Sequence, residues 1–460
     1  MTDIYSGASA SPATPPGGRV SDLYRAVWRW HFYAGLLILP FMITLSVTGA
    51  IYLFRDEIDT RVHADFMRVT PIEEQRLAPS EIIAAALEAQ PGTAVKYIDP
   101  PAPDRSTEIT VQPENGDRMA VYVNQYDGTV LEVRPDRSTF AFTVRYLHSF
   151  RFFGATPRKI IEIAGGFSII LVATGIFLWW PRGQNGGVVT VRGKPARRVF
   201  WRDLHAVTGL FTGAFIVFLT ITGMPWSSVW GTKVNEWANG SNFGYPSGLR
   251  IDVPMSEEHL DHVAKTSWTL EQARIPETIP PETAMPPVGI DAAVAAFETL
   301  GLHRGFSVAL PKTAEGVYSG SVYPDDLSQQ RVVHLDQYTG KPLIDLSYAD
   351  YGPLGRWLEF GINTHMGQTF GTANQIVLLL ACIGIVLLAV SAAVMWWKRR
   401  PARRLGVPPR PSDRKVMTGL LVILCLGAAL FPLTGMVLLA MIALDLMAQQ
   451  IGRRRRAQSA

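Results

Sequence analysis

Long apolar runs alternate with long polar stretches along this chain of 460 residues. The apolar residues gather near 31–54, 160–180, 206–230, 375–397 and 416–448. A bilayer core about 30 Å thick needs roughly 20 apolar residues per helix. The first four blocks meet that length and predict one membrane span each. They are apolar on every face, unlike the one-sided stripe of a soluble surface helix. The fifth block is broken at Phe431-Pro432-Leu433-Thr434-Gly435. A hairpin turning there keeps both of its ends on one side; the alternative is one long helix kinked at Pro432.

The polar stretches 55–158 and 231–373 carry a second pattern. Val123 to Leu131 reads VNQYDGTVL and Leu335 to Leu343 reads LDQYTGKPL. Each predicts a strand, a tight turn at Gly128 or Gly340, and a second strand. A helix-like stretch precedes each hairpin: Ser80 to Leu87, with Ser80 as its N-cap, and Asp291 to Phe297. The Pro-rich stretch Ile275 to Pro287 reads as loop. Helix followed by hairpin predicts a small α+β module in each stretch.

Charge orients the spans. Residues 398–415 hold eight Lys or Arg against Asp413, and 181–203 hold six against Asp203. Residues 55–158 hold twelve basic and sixteen acidic residues, and 231–373 nine and seventeen. Short basic loops stay inside. The N-terminus and the two short loops are therefore expected in the cytoplasm, and both modules outside. The net charge of +4 reflects this topology, so no nucleic-acid partner is expected. Residues 1–24 read as a disordered cytoplasmic tail and 449–460 as a basic one. With no cleavage site after it, the first span reads as a retained anchor. Cys382 and Cys425 both lie in apolar blocks and offer no CxxC motif, so they read as small buried side chains.

The candidate chemistry lies in matched histidines. His31 and His205 open the first and third spans; Gly follows each by four residues and a Thr-Gly pair by seventeen (Thr48-Gly49, Thr222-Gly223). His148 and His365 each precede a Gly by six residues and a Trp-Trp pair by thirty-one. The chain therefore reads as internally duplicated: repeat 1 over 25–182 and repeat 2 over 199–400, related by a pseudo-twofold axis. The predicted fold is an α-helical polytopic membrane protein with two extracytoplasmic α+β modules.

Two axial imidazoles on opposite faces hold a haem iron. His31 with His205, near the cytoplasmic face, and His148 with His365, near the outer face, predict two haem b groups. Gly35, Gly209 and Gly213, one or two turns along the same helix faces, are expected to leave room for the flat macrocycle. For Gly209 and Gly213 the plainer alternative is close helix packing. The fifth block keeps Thr434-Gly435 but has Met417 at the position equivalent to the histidine, so the Thr-Gly pairs read as packing residues. The tryptophan pairs read as interfacial anchors. His63, His259, His262, His303 and His334 lack repeat partners and read as ordinary module residues.

The starts WHFYAG and LHAVTG, the VTG and ITG pairs, the YDG and YTG hairpins and the endings WWPR and WWKR together resemble the PepSY-associated transmembrane proteins, as does the terminal FPLTG block. The resemblance covers nearly the whole chain after residue 20. That group includes bacterial inner-membrane ferric-siderophore reductases. The resemblance implies PepSY-like modules, an inner-membrane location and a ferric siderophore as substrate; the electron donor is expected to be a quinol or a cytoplasmic reductase. No nucleotide-binding glycine motif is present to supply electrons from within the chain. Two other readings stay open: a membrane-anchored binding or regulatory protein without redox activity, and a siderophore transporter. Against a transporter stands the expectation that the spans carry no buried acid except Asp445.

Overall fold

The computed structural model describes residues 22–458, except 73–75, 155, 182–185, 241–254, 260–267, 271–272, 284, 403–404, 410–415, 417, 420–421, 423–426 and 428. Met417, Cys425 and His262, singled out in the sequence, lie outside the described residues.

Four described helices are long and apolar enough to cross a membrane. They are α1 (Asp22–Tyr52), α6 (Arg158–Trp179), α7 (Arg198–Gly223) and α11 (Gly371–Arg399). Helix α1 packs on α6 and α11, and α7 packs on the same two. Helices α1 and α7 therefore face each other across a diagonal of a four-helix bundle. Small residues let the helices approach. A Cβ on Gly384 would lie 2.6 Å from the Thr212 side chain, and one on Gly165 would lie 2.8 Å from Met224. Lipid supplies no hydrophobic force between spans, so this close contact is what holds them. Phe211, Leu380 and Ile383 are exposed along the outside of the bundle.

Short helices edge the bundle: α2 (Arg55–Val62), α3 (Ala64–Met67), α5 (Phe140–His148), α8 (Val229–Gly240) and α10 (Pro353–His365). A further helix, α12 (Pro432–Gln458), starts at Pro432, where a missing N–H costs nothing. Its buried Thr434 packs on Gly166 of α6. Its Asp445 accepts from Arg29 at 2.5 Å and from the Tyr33 hydroxyl at 2.9 Å, both on α1.

The polar stretches build one antiparallel sheet. The first supplies α4 (Pro79–Ala89) and strands β1 (Thr93–Ile98), β2 (Thr107–Gln112), β3 (Met119–Val123) and β4 (Val130–Pro135). A small two-stranded sheet, β5 (Met255–His259) with β6 (Arg274–Pro276), lies in the second stretch. That stretch also supplies α9 (Gly289–Thr299), β7 (Ser307–Ala309), β8 (Val317–Val322), β9 (Arg331–Asp336) and β10 (Pro342–Ser347). The eight main strands run β10-β9-β8-β7-β1-β2-β3-β4. Where two modules were expected, β1 pairs directly with β7, Tyr97 opposite Val308, and the sheet continues across. One apolar core also spans the junction: Ile82, Ala86 and Val121 from one side, Phe297, Val308 and Leu335 from the other.

Two local expectations are corrected. Ser80 is not the N-cap of α4; Ala78 holds that place, its N–H donating to Glu81 at 2.8 Å. Ser80 instead donates its N–H and hydroxyl to Asp291 of α9, at 2.8 and 2.6 Å. Ile275 lies in strand β6 and is buried, so the loop reading fails at its start.

The two sequence hairpins are built alike. Gly128 (φ +75°) and Gly340 (φ +68°) take the left-handed conformation that ends each turn. The side-chain amide of the Gln before the Tyr donates in both. Gln125 donates to the carbonyls of Pro103 and Arg105, and Gln337 to those of Thr313, Ala314 and Gly316. The Tyr126 and Tyr338 hydroxyls donate to Pro103 and Ala314. The repeated QY-x-G motif therefore fastens each hairpin to the loop beside it.

Candidate functional site

Four histidines enter the bundle from two kinds of element. His31 and His205 belong to the spans α1 and α7 themselves. His148 and His365 end the short helices α5 and α10. Because α1 and α7 lie on a diagonal, the His31 and His205 rings meet inside the bundle. Their centres are 6.4 Å apart and their planes are nearly perpendicular, at 87°. Two imidazoles bound trans to one metal at about 2 Å, each with its ring centre about 1.1 Å beyond the nitrogen, have centres roughly 6 Å apart. The observed spacing fits that donor set. Among the described residues no group of three or more His, Cys, Asp or Glu forms a cage for a bare metal ion. A two-imidazole set suits a metal whose other positions are already filled, as in haem.

The outer rings are near enough to influence each other electrostatically. Burial pushes the His148 imidazole down to about 4. Burial first, and the neighbouring His148 second, bring His365 down to about 3. Both rings are therefore neutral at ordinary pH, the form that can ligate a metal.

Each ring is held through Nδ1. His31 Nδ1 lies 2.8 Å from Thr174 Oγ1, and His148 Nδ1 2.9 Å from Thr48 Oγ1. His365 Nδ1 lies 2.8 Å from Thr222 Oγ1. His205 Nδ1 lies 3.0 Å from the Leu388 carbonyl and 3.3 Å from Ser391 Oγ. Among the described residues none of the four makes a hydrogen bond through Nε2.

The Thr-Gly pairs are thus more than packing. The hydroxyl holds the ring, and the glycine beside it gives the ring space. A Cβ on Gly49 would lie 3.3 Å from His148 Cε1, and one on Gly223 3.5 Å from His365 Cε1. Thr174-Gly175 repeats the device for His31, with a Cβ on Gly175 lying 3.3 Å from its Cε1. Sequence reading missed Thr174 and Ser391. The signal was available: each lies 26 residues after the outer histidine of its own half, His148 or His365. By contrast, the glycines expected to border a macrocycle face neighbouring helices. A Cβ on Gly35 would touch Leu171, on Gly209 Leu388 and on Gly213 Val172.

The expected scarcity of buried acids is corrected. Glu162 of α6 and Asp203 of α7 are both about 1 % exposed. Glu162 accepts from Ser228 and from the Val229 N–H at the start of α8. Asp203 binds Arg192 at 2.7 Å and Arg202 at 2.6 Å. With Asp445 on Arg29, each acid has a fixed partner. Nearer the sheet, Glu359 of α10 accepts from Thr269 and Tyr323, and burial raises its carboxyl above the usual range.

The remaining candidates fall elsewhere. His63 accepts the Phe140 N–H, His303 lies on the Arg304 carbonyl, and buried His334 meets Ser319 at 2.8 Å in the sheet. His259 pairs with Arg274 in the small sheet. Of each tryptophan pair, the first indole also pins the loop nine residues on: Trp179 to Val188 and Trp396 to Leu405.

The profile of the PepSY-associated TM region matches residues 28–399. The chain belongs to that family. The matched segment begins just before His31 and ends at Arg399, so it includes all four histidines and both Trp-Trp endings. No curated protein matches the chain. With four apolar spans and a family defined by its transmembrane region, this is a multi-pass membrane protein.

Proposed function

We propose that this protein is a haem b electron carrier of the bacterial inner membrane that reduces ferric siderophore on the periplasmic side. One observation carries the reading: two half-buried histidines from opposite halves of the bundle come together at the spacing of a bis-imidazole metal site. His31 and His205 would hold one haem, and His148 and His365 the other. Bound haem would supply a one-electron iron couple. The chain's own part is to present neutral imidazoles, to exclude water with the packed spans, and to set the pairs at two depths along one bundle. An electron from a quinol or a separate reductase would enter near His31 and His205 and leave near His148 and His365. On the ferric chelate it converts Fe(III) to Fe(II), which hard oxygen ligands hold less tightly, so iron is released.

The same reading covers the architecture. The two halves are a duplication about a pseudo-twofold axis passing near the β1–β7 junction. Each half contributes a PepSY-like unit of one helix and four strands. The basic loops face the cytoplasm and the sheet faces the periplasm. For the C-terminal block, 416–448, the reading is a hairpin with both ends at the cytoplasmic face. Packing of Val416 in the cluster around Trp30 and Leu438 supports that path, as does the Leu430 carbonyl on Trp230.

A visible spectrum of the purified protein tests the function. Haem-replete cells are expected to yield a red protein whose Soret band shifts with dithionite. Added anaerobically, a ferric siderophore should reoxidise it. A colourless protein would refute the haem; a red protein that no ferric chelate reoxidises would refute the substrate.

A further inference from the structure

We infer that Thr48, Thr174 and Thr222 are positioning residues that lock their histidines in the Nδ1–H tautomer, leaving the Nε2 lone pair for a metal. The inference rests on the haem reading and assigns its outer hydrogen bonds.

The argument follows single protons. A threonine hydroxyl has one to give. Thr174 Oγ1 lies 2.6 Å from the Ile170 carbonyl, Thr48 Oγ1 2.7 Å from that of Thr44, and Thr222 Oγ1 2.7 Å from that of Phe218. Two oxygens this close repel unless a proton lies between them, and these are ordinary O–H···O lengths. Each hydroxyl proton is therefore committed to its own helix. What faces the histidine is the hydroxyl's lone pair, so the proton of the second bond belongs to Nδ1.

His205 reaches the same state by another route. Its nearest partner is the Leu388 carbonyl, which can only accept. Ser391 stands where Thr174 stands in the first half, but its hydroxyl also donates to Leu388, at 2.8 Å. All four rings thus carry the proton on Nδ1. A neutral imidazole protonated there has its lone pair on Nε2, the atom free of hydrogen bonds at every site.

The acceptor does more than orient the ring. A histidine that donates Nδ1–H to an oxygen becomes a more basic ligand, and such outer partners change metal-site properties by tenfold or more. A more basic ligand favours Fe(III). Removing the acceptor should therefore raise the reduction potential.

The test is a redox titration of the purified holoprotein, following the haem bands, in Thr48→Val, Thr174→Val and Thr222→Val, with the serine variants as rescue. Valine keeps the shape and removes the acceptor; serine keeps the acceptor. Thr174→Val and Thr222→Val should each raise the Fe(II)/Fe(III) ratio of one haem about tenfold at fixed ambient potential, or about 59 mV for one electron; Thr48→Val should move its haem less, because the Leu45 carbonyl still accepts from His148. Thr174→Val should move the haem that His31→Ala removes, and the other two variants should move the other haem. Serine should restore the wild-type potential. Ser391→Ala should move little, because the Leu388 carbonyl remains. Loss of haem from a valine variant but not from its serine counterpart also supports the assignment. A red wild type whose potentials stay unchanged in all three valine variants overturns it. So does an equal shift in Ser391→Ala and Thr174→Val, which would point to lost packing. A colourless wild type is a different failure: it overturns the haem reading itself, and this inference with it.

Discussion

The bundle and the sheet join the same two halves of the chain by opposite means. In the sheet, β1 meets β7 by backbone pairing over one apolar core. The buried histidine there, His334, ends on Ser319 and, among the described residues, faces no second ring. In the bundle, the halves meet ring to ring, and every ring keeps one nitrogen out of the hydrogen-bond network. An Nδ1 partner is common to both regions. The pairing of rings across the halves is what sets the bundle apart, and it marks a site better than any buried histidine alone.

The largest expected effect breaks the pairing. His31→Ala and His205→Ala should each abolish the same haem signal, and His148→Ala and His365→Ala the other. Circular dichroism of the helices and sheet should change little, since the sheet does not depend on these rings. Visible spectra of the four variants, read by difference, check the assignment. Loss of different haems in His31→Ala and His205→Ala would undo it.

A smaller effect separates the bundle's scaffold from its site. Asp445→Asn leaves the Arg29 guanidinium, now without its carboxylate, among α1 and α12. Removing one partner of a buried pair costs about 3–5 kcal/mol. Thermal unfolding in detergent should show that loss, while haem absorbance per folded protein stays near wild type. A wild-type melting temperature would mean that α12 adds no stability through this contact.

His334 gives the sheet its own pH signature. Burial lowers its imidazole from 6.5 to about 4, so the folded state holds it neutral. The unfolded state binds the proton more readily. Its contribution is therefore complete above pH 6.5 and lost as pH falls towards 4. A shift of this size corresponds to about 3 kcal/mol. His334→Gln should flatten the stability profile between pH 6.5 and 4; parallel profiles for both proteins would contradict the neutral buried ring.

Much of this arrangement was legible in the sequence because its signals recur at fixed spacings. Uniformly apolar runs of span length located α1, α6, α7 and α11 to within about ten residues at their ends. The QYDG and QYTG signatures located both hairpins. The four histidines stood out because their offsets repeat. What was not legible depends on contacts between distant segments. Thr174 looks like any polar residue in an apolar run until His31, 143 positions earlier, is brought against it. Glu162 reads as a stray charge at a span entrance until the start of α8 folds onto it. Gly35, Gly209 and Gly213 share a helix face with the predicted ligands, yet packing against neighbouring helices decides what each one touches. Strand pairing is equally non-local: nothing in Thr93–Ile98 announces Ser307–Ala309 as its partner.

The finest test concerns that junction. Ser80 of α4 donates twice to Asp291 of α9, which ties the two helices above the β1–β7 seam. The contact is exposed, so water competes for both groups and the net contribution is small. Ser80→Ala removes the hydroxyl bond and keeps the backbone one. It should cost about 1 kcal/mol, the ordinary worth of one hydrogen bond. Asp291→Ala removes both acceptors and should cost more. Chemical unfolding followed by tryptophan fluorescence and by far-ultraviolet dichroism would rank the two. If the halves of the sheet unfold as one unit, both probes shift together in each variant. If Asp291→Ala splits the transition, α4 and α9 hold the seam closed and strand pairing alone does not.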